Sequence, residues 1–298
     1  IDVLGTGYYH PVLPLVPPPD RDEQVLRWRG IARHLFWRED FQGFWPPDLG
    51  FTMALIPLLR RHGYRYVVVD SDRVAPVAPM SWQELRYRPH VARHGGDEIV
   101  VVVRDRELAE AQEAGMDYPG FEREVRQRTE GCDFPPLVTT GVAGDRGRLR
   151  ASDPEAGFWS GFYHPLLEQA RRPDPAVVPQ FIHHYLDRYG ARGEVTVGTA
   201  PDAGGGAWTD TPEQREALAR VARVSRAIHD ARWQAGQRTP AQAGVHGLLE
   251  EAMWHLLRAE ASDNFHAEAP GAVRCHEDLD IAEAALERAL AAAAGGRG

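Results

Sequence analysis

The chain has 298 residues, 43% of them hydrophobic and 26% charged, a composition typical of a globular protein with one large domain or two smaller ones. Its net charge of −9 and the scatter of its basic residues exclude a nucleic-acid-binding surface, because such surfaces are basic and clustered. All 34 basic residues are arginine, so Schiff-base chemistry and a phosphate-binding P-loop lysine are excluded as well.

The two cysteines, Cys132 and Cys275, lie far apart in no metal-binding spacing, which indicates reduced thiols rather than a disulfide framework or a zinc site. No stretch of 18 apolar residues is present, so the sequence predicts no membrane span. We expect a cytoplasmic protein. Because the chain starts at Ile1 without a methionine, we also expect residues upstream, and a signal peptide among them stays open.

Short β-branched or aromatic runs alternate with amphipathic stretches through the first 205 residues, the pattern of βα units around a parallel sheet. Parallel strands buried on both faces read as continuous apolar runs, as the valines at 67–69 and 100–103 do. The predicted strands are 4–9, 41–45, 64–70, 99–104, 137–142 and 194–198. The predicted helices of this part lie near 21–36, 52–62, 117–129, 157–171 and 177–189.

After residue 205 the pattern changes to long helices, predicted near 212–235, 246–260 and 276–294. The segment 202–206 is small, glycine-rich and without apolar period, which makes it the candidate boundary. The sequence therefore predicts a βα domain over residues 1–205 and a helical bundle over residues 206–298.

The ends of the predicted strands carry the candidate chemistry, because functional residues of parallel βα barrels lie at the C-terminal ends of their strands. The polar or aromatic side chains that follow these strands are His10, Trp45, Asp48, Asp70, Arg104 and Asp145. Two carboxylates at neighbouring strand ends are what glycoside hydrolysis requires: one attacks or stabilises the anomeric carbon, and the other protonates the leaving oxygen. Solvated acids also commonly follow strands, so the pattern alone leaves a structural role open.

Two segments resemble a known family. Residues 7–15, Gly-Tyr-Tyr-His-Pro-Val-Leu-Pro-Leu, and residues 43–51, Gly-Phe-Trp-Pro-Pro-Asp-Leu-Gly-Phe, resemble the second conserved region and the nucleophile segment of glycoside hydrolase family 57. The resemblance continues through 103–107, 132–140 and 257–260 and covers nearly the whole chain. It implies a retaining hydrolase or transglycosidase acting on α-glucan or oligosaccharide, without a metal or organic cofactor.

The resemblance also implies a fold. The family opens with a His-containing strand that lines the sugar site, and the chain lacks that strand. The six predicted strands and the missing one make seven, so we expect a (β/α)7-type barrel without its first strand, followed by a C-terminal helical domain. The candidate substrate-binding residues are His10, Trp45, Asp70, Arg104 and Trp208. A structural role for His10 and a core position for Trp208 are the alternatives.

The catalytic positions depart from the family pattern. Asp48 stands where the family has a glutamate nucleophile, and the shorter side chain withdraws the carboxylate by roughly 1.5 Å, a displacement that can cost about a hundredfold in rate. Ala143 stands where the family has its acid/base aspartate. Asp145 points to the same side of a strand but lies about 6–7 Å further along, whereas retaining enzymes need about 5–5.5 Å between their carboxyl groups.

We therefore expect a family 57-like protein of α-glucan metabolism whose catalytic pair has degenerated, leaving activity weak or absent. If the protein is active, Asp48 attacks or stabilises the anomeric carbon and Asp145 handles the proton. The alternative is an inactive carbohydrate-binding or scaffold protein on the same fold, which fits Ala143 and the absence of a family tryptophan near 264–270. A polysaccharide deacetylase would need an Asp-His-His metal set that we cannot assemble from this sequence, and the oligomeric state stays open.

Two charged pairs are also expected. Asp70 and Arg104 follow adjacent strands, and we expect an ion pair between them that shapes the pocket floor. His183 and Asp187 are four residues apart on a predicted helix and share one face, which indicates a solvated surface pair rather than a metal site.

Overall fold

The computed structural model describes residues 1–141, 158–198, 208–236, 243–265 and 271–295. Their α-helices are α1 (Pro18–Phe36), α2 (Ile56–Arg61), α3 (Trp82–Tyr87), α4 (Arg106–Glu113), α5 (Tyr118–Thr129), α6 (His164–Ala170), α7 (Ile182–Tyr189), α8 (Pro212–Gly236), α9 (Ala243–Ala259) and α10 (Gly271–Gly295). Their strands are β1 (Gly43–Phe44), β2 (Tyr66–Asp70), β3 (Val74–Pro76), β4 (His90–His94), β5 (Asp97–Arg104) and β6 (Val195–Val197).

The chain divides into two compact units that are not contiguous in sequence. The first comprises Ile1–Leu4, Gln42–Trp45 and Thr52–Thr199, and the second comprises Gly5–Phe41, Pro46–Phe51 and Ala200–Gly298. The second unit therefore includes N-terminal segments as well as the C-terminal helices, unlike a division with one boundary after residue 205.

The first unit is built on a four-stranded sheet of order β1-β2-β5-β4. β1, β2 and β5 are parallel, and β4 runs antiparallel to β5. The valines at 67–69 and 101–103 are all buried, so both faces of the central strands are covered, as their apolar runs predict. On one face, Tyr66, Val68 and Val102 pack against Leu137 and two residues of α7.

A closed barrel, expected from the resemblance, is not found in the described residues. They form the open four-stranded sheet and a separate antiparallel ladder of β3 with β6. The chain turns at Gly95 and Gly96, both with positive φ, and β4 pairs back on β5 as an antiparallel hairpin. Among the described residues, the chain beyond β4 forms one isolated parallel bridge with it, Val91 with Glu194, and no ladder extends the sheet on that side.

Two further predicted strands do not form ladders in the described part of the chain. In the segment 4–9, the backbone amides of Tyr8 and Tyr9 donate to the backbone carbonyl and the side chain of Gln24 in α1, at 3.2 and 2.9 Å. These donors are therefore not available to a sheet. In the segment 137–142, Thr139 makes only an isolated parallel bridge with Arg104.

The second unit has a helical core in which α8, α9 and α10 contribute most of the buried apolar side chains, among them Val221, Ile228, Leu249, Met253, Leu279 and Leu286. Helix α1 is fixed to these helices by ion pairs. Arg232 of α8 bonds Glu23 at 2.6 Å, and Arg27 bonds Glu250 of α9 at 2.8 Å. The long C-terminal helices predicted from the sequence are thus present, and α1 packs with them.

The cysteines are free thiols, Cys132 partly exposed and Cys275 buried. In the part of the chain that the structure describes, no helix combines the length and the apolar character that a membrane span needs.

Candidate functional site

Asp48 lies in a strained turn of the second unit. Its φ of 50° and ψ of 23° are left-handed, and the next residue, Leu49, has a φ of 53°. Such conformations cost roughly 1–3 kcal/mol at non-glycine residues and are concentrated at functional sites. The turn is closed by backbone hydrogen bonds of 2.9 Å from Leu49 to Pro46 and from Gly50 to Pro47. The direction of the Asp48 side chain is therefore set by its backbone.

His10 faces Asp48. It also has a left-handed backbone, with φ of 56°, and its amide donates to the carbonyl of Gly7 at 3.1 Å. His10 Nδ1 lies 3.7 Å from Asp48 Oδ2. The side chains of His10 and Asp48 are 57% and 31% exposed, so a ligand in solvent can reach both.

The segments around His10 and Asp48 meet through two close approaches at glycines. A Cβ on Gly7 would lie 2.6 Å from Pro11 Cδ and 3.4 Å from Pro47 Cγ. A Cβ on Gly50 would lie 2.9 Å from Val12 Cγ1. Only glycine permits this packing without displacement, so the two segments that resemble family motifs pack directly on each other.

Ser262, which the sequence analysis did not single out, completes this site. Its amide donates to the carbonyl of His10 at 3.1 Å, and its Oγ lies 3.2 Å from His10 Nδ1. Its neighbour Ala261 forms an antiparallel bridge with Pro11. The matched segment 257–260 ends just before these residues, and that was the available signal for them.

The Asp48 carboxylate is only partly satisfied by the protein. Asp48 Oδ2 is buried and accepts no hydrogen bond from a described residue, since 3.7 Å to His10 exceeds hydrogen-bond range. The exposed area of the side chain belongs to its other atoms. The site thus offers a carboxylate of fixed direction beside an exposed imidazole, both capable of bonding hydroxyl groups.

A second group of predicted residues lies together in the first unit. Asp70 of β2 and Arg104 of β5 are register partners, and Arg104 Nη1 donates to Asp70 Oδ1 at 2.7 Å, which confirms the predicted ion pair. Both side chains are largely buried, at 15% and 9% exposure. Burial raises the pKa of Asp70 above its usual value, and the hydrogen bond from Arg104 only partly offsets this.

Gly141 connects Arg104 with Trp45. Its carbonyl accepts from Arg104 Nη2 at 3.1 Å. A Cβ on Gly141 would lie 2.4 Å from Trp45 Cη2, so the chain crosses the indole ring closely. Trp45 is half-buried and packs with the apolar cluster around Tyr66. Trp45, Asp70 and Arg104 therefore form one group whose shape depends on Gly141.

The remaining candidates within the described residues are not brought to either group. Trp208 is 6% exposed and packs in the helical core of the second unit, so its ring is not a free stacking surface. Asp145 and Ala143 lie outside the described residues. His183 and Asp187 do not pair with each other as expected. His183 Nδ1 bonds Asp2 at 3.0 Å, and Asp187 bonds Arg65 at 2.5 Å.

The described residues contain no group of three or more His, Cys, Asp or Glu side chains placed to hold a metal ion. His10 and Asp48 form a pair only. The chemistry that this pair offers is that of an acid and an imidazole toward hydroxyl groups.

The first part of the chain is similar in sequence to known proteins. A model of glycosyl hydrolase family 57 matches residues 1–128. Over 108 residues, 36% of the chain, the sequence is 33% identical to a 4-alpha-glucanotransferase of Thermococcus litoralis and 32% identical to an alpha-amylase of Pyrococcus horikoshii. The chain spans about 16% of the length of these curated relatives.

Solved structures show the same fold over nearly the whole chain. The 4-alpha-glucanotransferase from Thermococcus litoralis superposes with a TM-score of 0.68 at 18% identity, covering 97% of this chain and 46% of that one. A GH57-type branching enzyme from Pyrococcus horikoshii gives a TM-score of 0.68 at 15% identity, covering 97% of this chain and 62% of that one. At these identities the likeness concerns the fold.

Proposed function

The chain is a relative of glycosyl hydrolase family 57, and from this premise we propose that it acts on α-glucan or maltooligosaccharides at His10 and Asp48. The relatives with matching sequence are named as an alpha-amylase and a 4-alpha-glucanotransferase, which supports α-linked glucose polymers as the substrate class. The observation that carries the proposal is the strained Asp48 turn facing His10, built from the two segments that resemble the family.

The proposed reaction uses Asp48 as the carboxylate at the anomeric carbon. Its oxygen attacks, the glycosidic bond breaks, and a glycosyl ester forms; water or a sugar hydroxyl then releases the product, giving hydrolysis or transfer. His10 would bond a sugar hydroxyl beside the reacting carbon. The left-handed turn holds the carboxylate without a separate positioning side chain, which reduces the reorganisation that the reaction requires.

The leaving oxygen needs a proton, and here the chain departs from its family. We propose Asp145 as the donor, since Ala143 supplies none. If the donor is displaced, departure of an alcohol is slow, whereas a leaving group that needs no proton departs normally. This gives the expected signature: weak turnover of maltooligosaccharides that depends on Asp48 and Asp145.

The test incubates the full chain with maltoheptaose and follows shorter and longer products by chromatography. Asp48→Asn and Asp145→Asn should each remove the products, while Asp187→Asn, which changes a surface aspartate, should not. Products that persist in both site variants would contradict the assignment.

A binding protein without turnover is the second candidate. The alanine at position 143 favours it, because glycosyl transfer to Asp48 from a natural glucan requires a proton donor. Calorimetric titration with maltoheptaose separates the two. Binding that His10→Ala weakens, with no products over long incubation, supports the binding protein; product formation supports the enzyme.

A further inference from the structure

Two carboxyl groups lie buried side by side in the second unit, away from solvent. Asp20, in the first turn of α1, is 0% exposed, and Glu260, directly after α9, is 1% exposed. The two carboxyl groups lie close enough for the charge of Asp20 to raise the pKa of Glu260. Two adjacent ionised carboxylates in such a place would repel each other and lose their hydration, so both cannot stay charged without a large cost.

The hydrogen bonds of Asp20 and Glu260 show which of their carboxyl oxygens lack a donor. Asp20 Oδ1 bonds His229 Nε2 at 2.6 Å, and Glu260 Oε2 accepts from Gln24 Nε2 at 3.0 Å. The other two oxygens, Asp20 Oδ2 and Glu260 Oε1, are buried and receive no donor from the described residues. A carboxylate has no proton to donate. One proton held between these two oxygens satisfies both with a single short bond.

Among the described residues, three titratable groups interact with this pair from neighbouring positions: Arg21, His229 and Cys275. Arg21 is a cation near Glu260, but its guanidinium donates to the backbone carbonyls of Val16 and Pro14 at 2.9 and 3.1 Å. His229 faces Asp20, and the Cys275 thiol lies near Glu260. Burial and the neighbouring Asp20 carboxylate raise the pKa of Glu260 well above its usual range. The environment thus favours the protonated form of Glu260, in which its carboxyl group can donate to Asp20.

Glu260 is connected to both flanks of His10. On one side, Gln24, which donates to Glu260, accepts the amide of Tyr9 at 2.9 Å. On the other side, Ala261 bridges Pro11 and the amide of Ser262 donates to His10. Residues before and after His10 are thus held by the segment that begins at Glu260.

We propose that Glu260 is a positioning residue: by sharing one proton with Asp20 it fixes His10 opposite Asp48. Its importance for glucan binding rests on the function proposed above. The arrangement of the proton and of His10 can be measured without any glucan.

The test compares the full chain with Glu260→Gln, Glu260→Ala and the surface control Glu251→Gln. Infrared difference spectra at neutral pH should contain the C=O band of a protonated carboxyl group, absent from Glu260→Gln and unchanged in Glu251→Gln. In Glu260→Gln an amide N–H replaces the shared proton toward Asp20, and the amide oxygen still accepts from Gln24. If the band is absent from the native chain, or persists in Glu260→Gln, no proton is held on Glu260 and the proposal fails.

The second readout is the imidazole resonance of His10 in NMR spectra. We expect Glu260→Ala to shift this resonance and Glu260→Gln to retain it, because only the amide keeps the connection to Asp20 and Gln24. An unchanged His10 in folded Glu260→Ala would overturn the positioning role; Glu260→Gln provides the comparison if the alanine variant does not fold. Since neither readout involves glucan, absence of glucan turnover would contradict the proposed function and leave both results standing.

Discussion

His10 and Asp48 face each other from two left-handed turns, with φ of 56° and 50°, and His10 Nδ1 lies 3.7 Å from Asp48 Oδ2. Aspartate and histidine tolerate this backbone region better than branched residues do. The conformation therefore limits which residues can stand at these positions, and it holds the two side chains in fixed directions. Backbone strain and the proposed chemistry coincide at the same two residues.

Asp48→Asn and Asp48→Val separate the effect of the left-handed backbone on stability from the effect of the carboxylate on turnover. Asparagine also tolerates a left-handed backbone, so we expect Asp48→Asn to keep its stability within about 1 kcal/mol while losing turnover. Valine is branched at Cβ, and we expect Asp48→Val to lower the free energy of unfolding by about 2 kcal/mol. Urea denaturation measures both. Equal stability of the two variants would contradict the strained turn.

Arg104→Met tests the buried pair in the first unit. Asp70 would lose the hydrogen bond that opposes desolvation, so its pKa should rise further. We expect the free energy of unfolding to fall by about 3 kcal/mol at pH 7, because a buried carboxylate loses its partner. The loss should become smaller as the pH is lowered and Asp70 takes up a proton. The double variant Asp70→Asn/Arg104→Met should recover much of the stability. A double variant no more stable than Arg104→Met would exclude coupling between the two groups.

Glu260 should make stability depend on pH. Because its pKa is raised in the folded state, the native chain binds a proton that the unfolded chain has released. The stability from this group is complete below the usual glutamate pKa of about 4.3 and is lost as pH rises toward the folded pKa, by up to about 1.4 kcal/mol per pH unit. Glu260→Gln should lack this slope. Parallel stability curves for the native chain and the variant, between pH 5 and 8, would show that Glu260 does not carry the proton.

Asp105 and Asp117 form a matched pair of helix caps. Asp105 accepts from the Leu108 amide at the start of α4, and Asp117 accepts from the Gly120 amide at the start of α5. Asp105 is also fully buried and bonds the Tyr87 hydroxyl at 2.7 Å and Arg128 at 3.1 Å. We expect Asp117→Ala to cost about 1 kcal/mol, as cap loss does, and Asp105→Ala to cost about 3–5 kcal/mol, because partners stay buried. Similar losses in thermal unfolding would contradict the buried network.

The sequence predicts the parts of this fold that depend on local pattern. The valine runs of β2 and β5 and the long helices α8 to α10 are found where their periodicity indicates them. The strand predicted at 4–9 is wrong because Gln24, on another element, takes its backbone donors, which no local pattern reports. A closed barrel is likewise not found in the described residues, where β4 and β5 form an antiparallel hairpin that turns at Gly95 and Gly96.

The candidate site was predictable only in part. The two segments that resemble the family indicated His10 and Asp48 as candidates. The ends of the predicted strands indicated Asp70 and Arg104. Asp20 and Glu260 lie near opposite ends of the chain, and nothing in their local sequence indicates that folding buries them together. Trp208 was a candidate for stacking on a sugar ring, but it lies in the helical core. Its exposure depends on how the helices pack, which the local sequence does not report.

We propose that Asp48 reacts with a glucosyl carbon, although Ala143 stands where the resemblance to glycoside hydrolase family 57 implies a proton donor. Turnover of α-maltosyl fluoride tests this most directly, because fluoride leaves without protonation by an acid. We predict fluoride release that exceeds turnover of maltooligosaccharides, that Asp48→Asn abolishes, and that Asp187→Asn leaves unchanged. Fluoride release at the uncatalysed rate, or release that Asp48→Asn does not reduce, would contradict the claim.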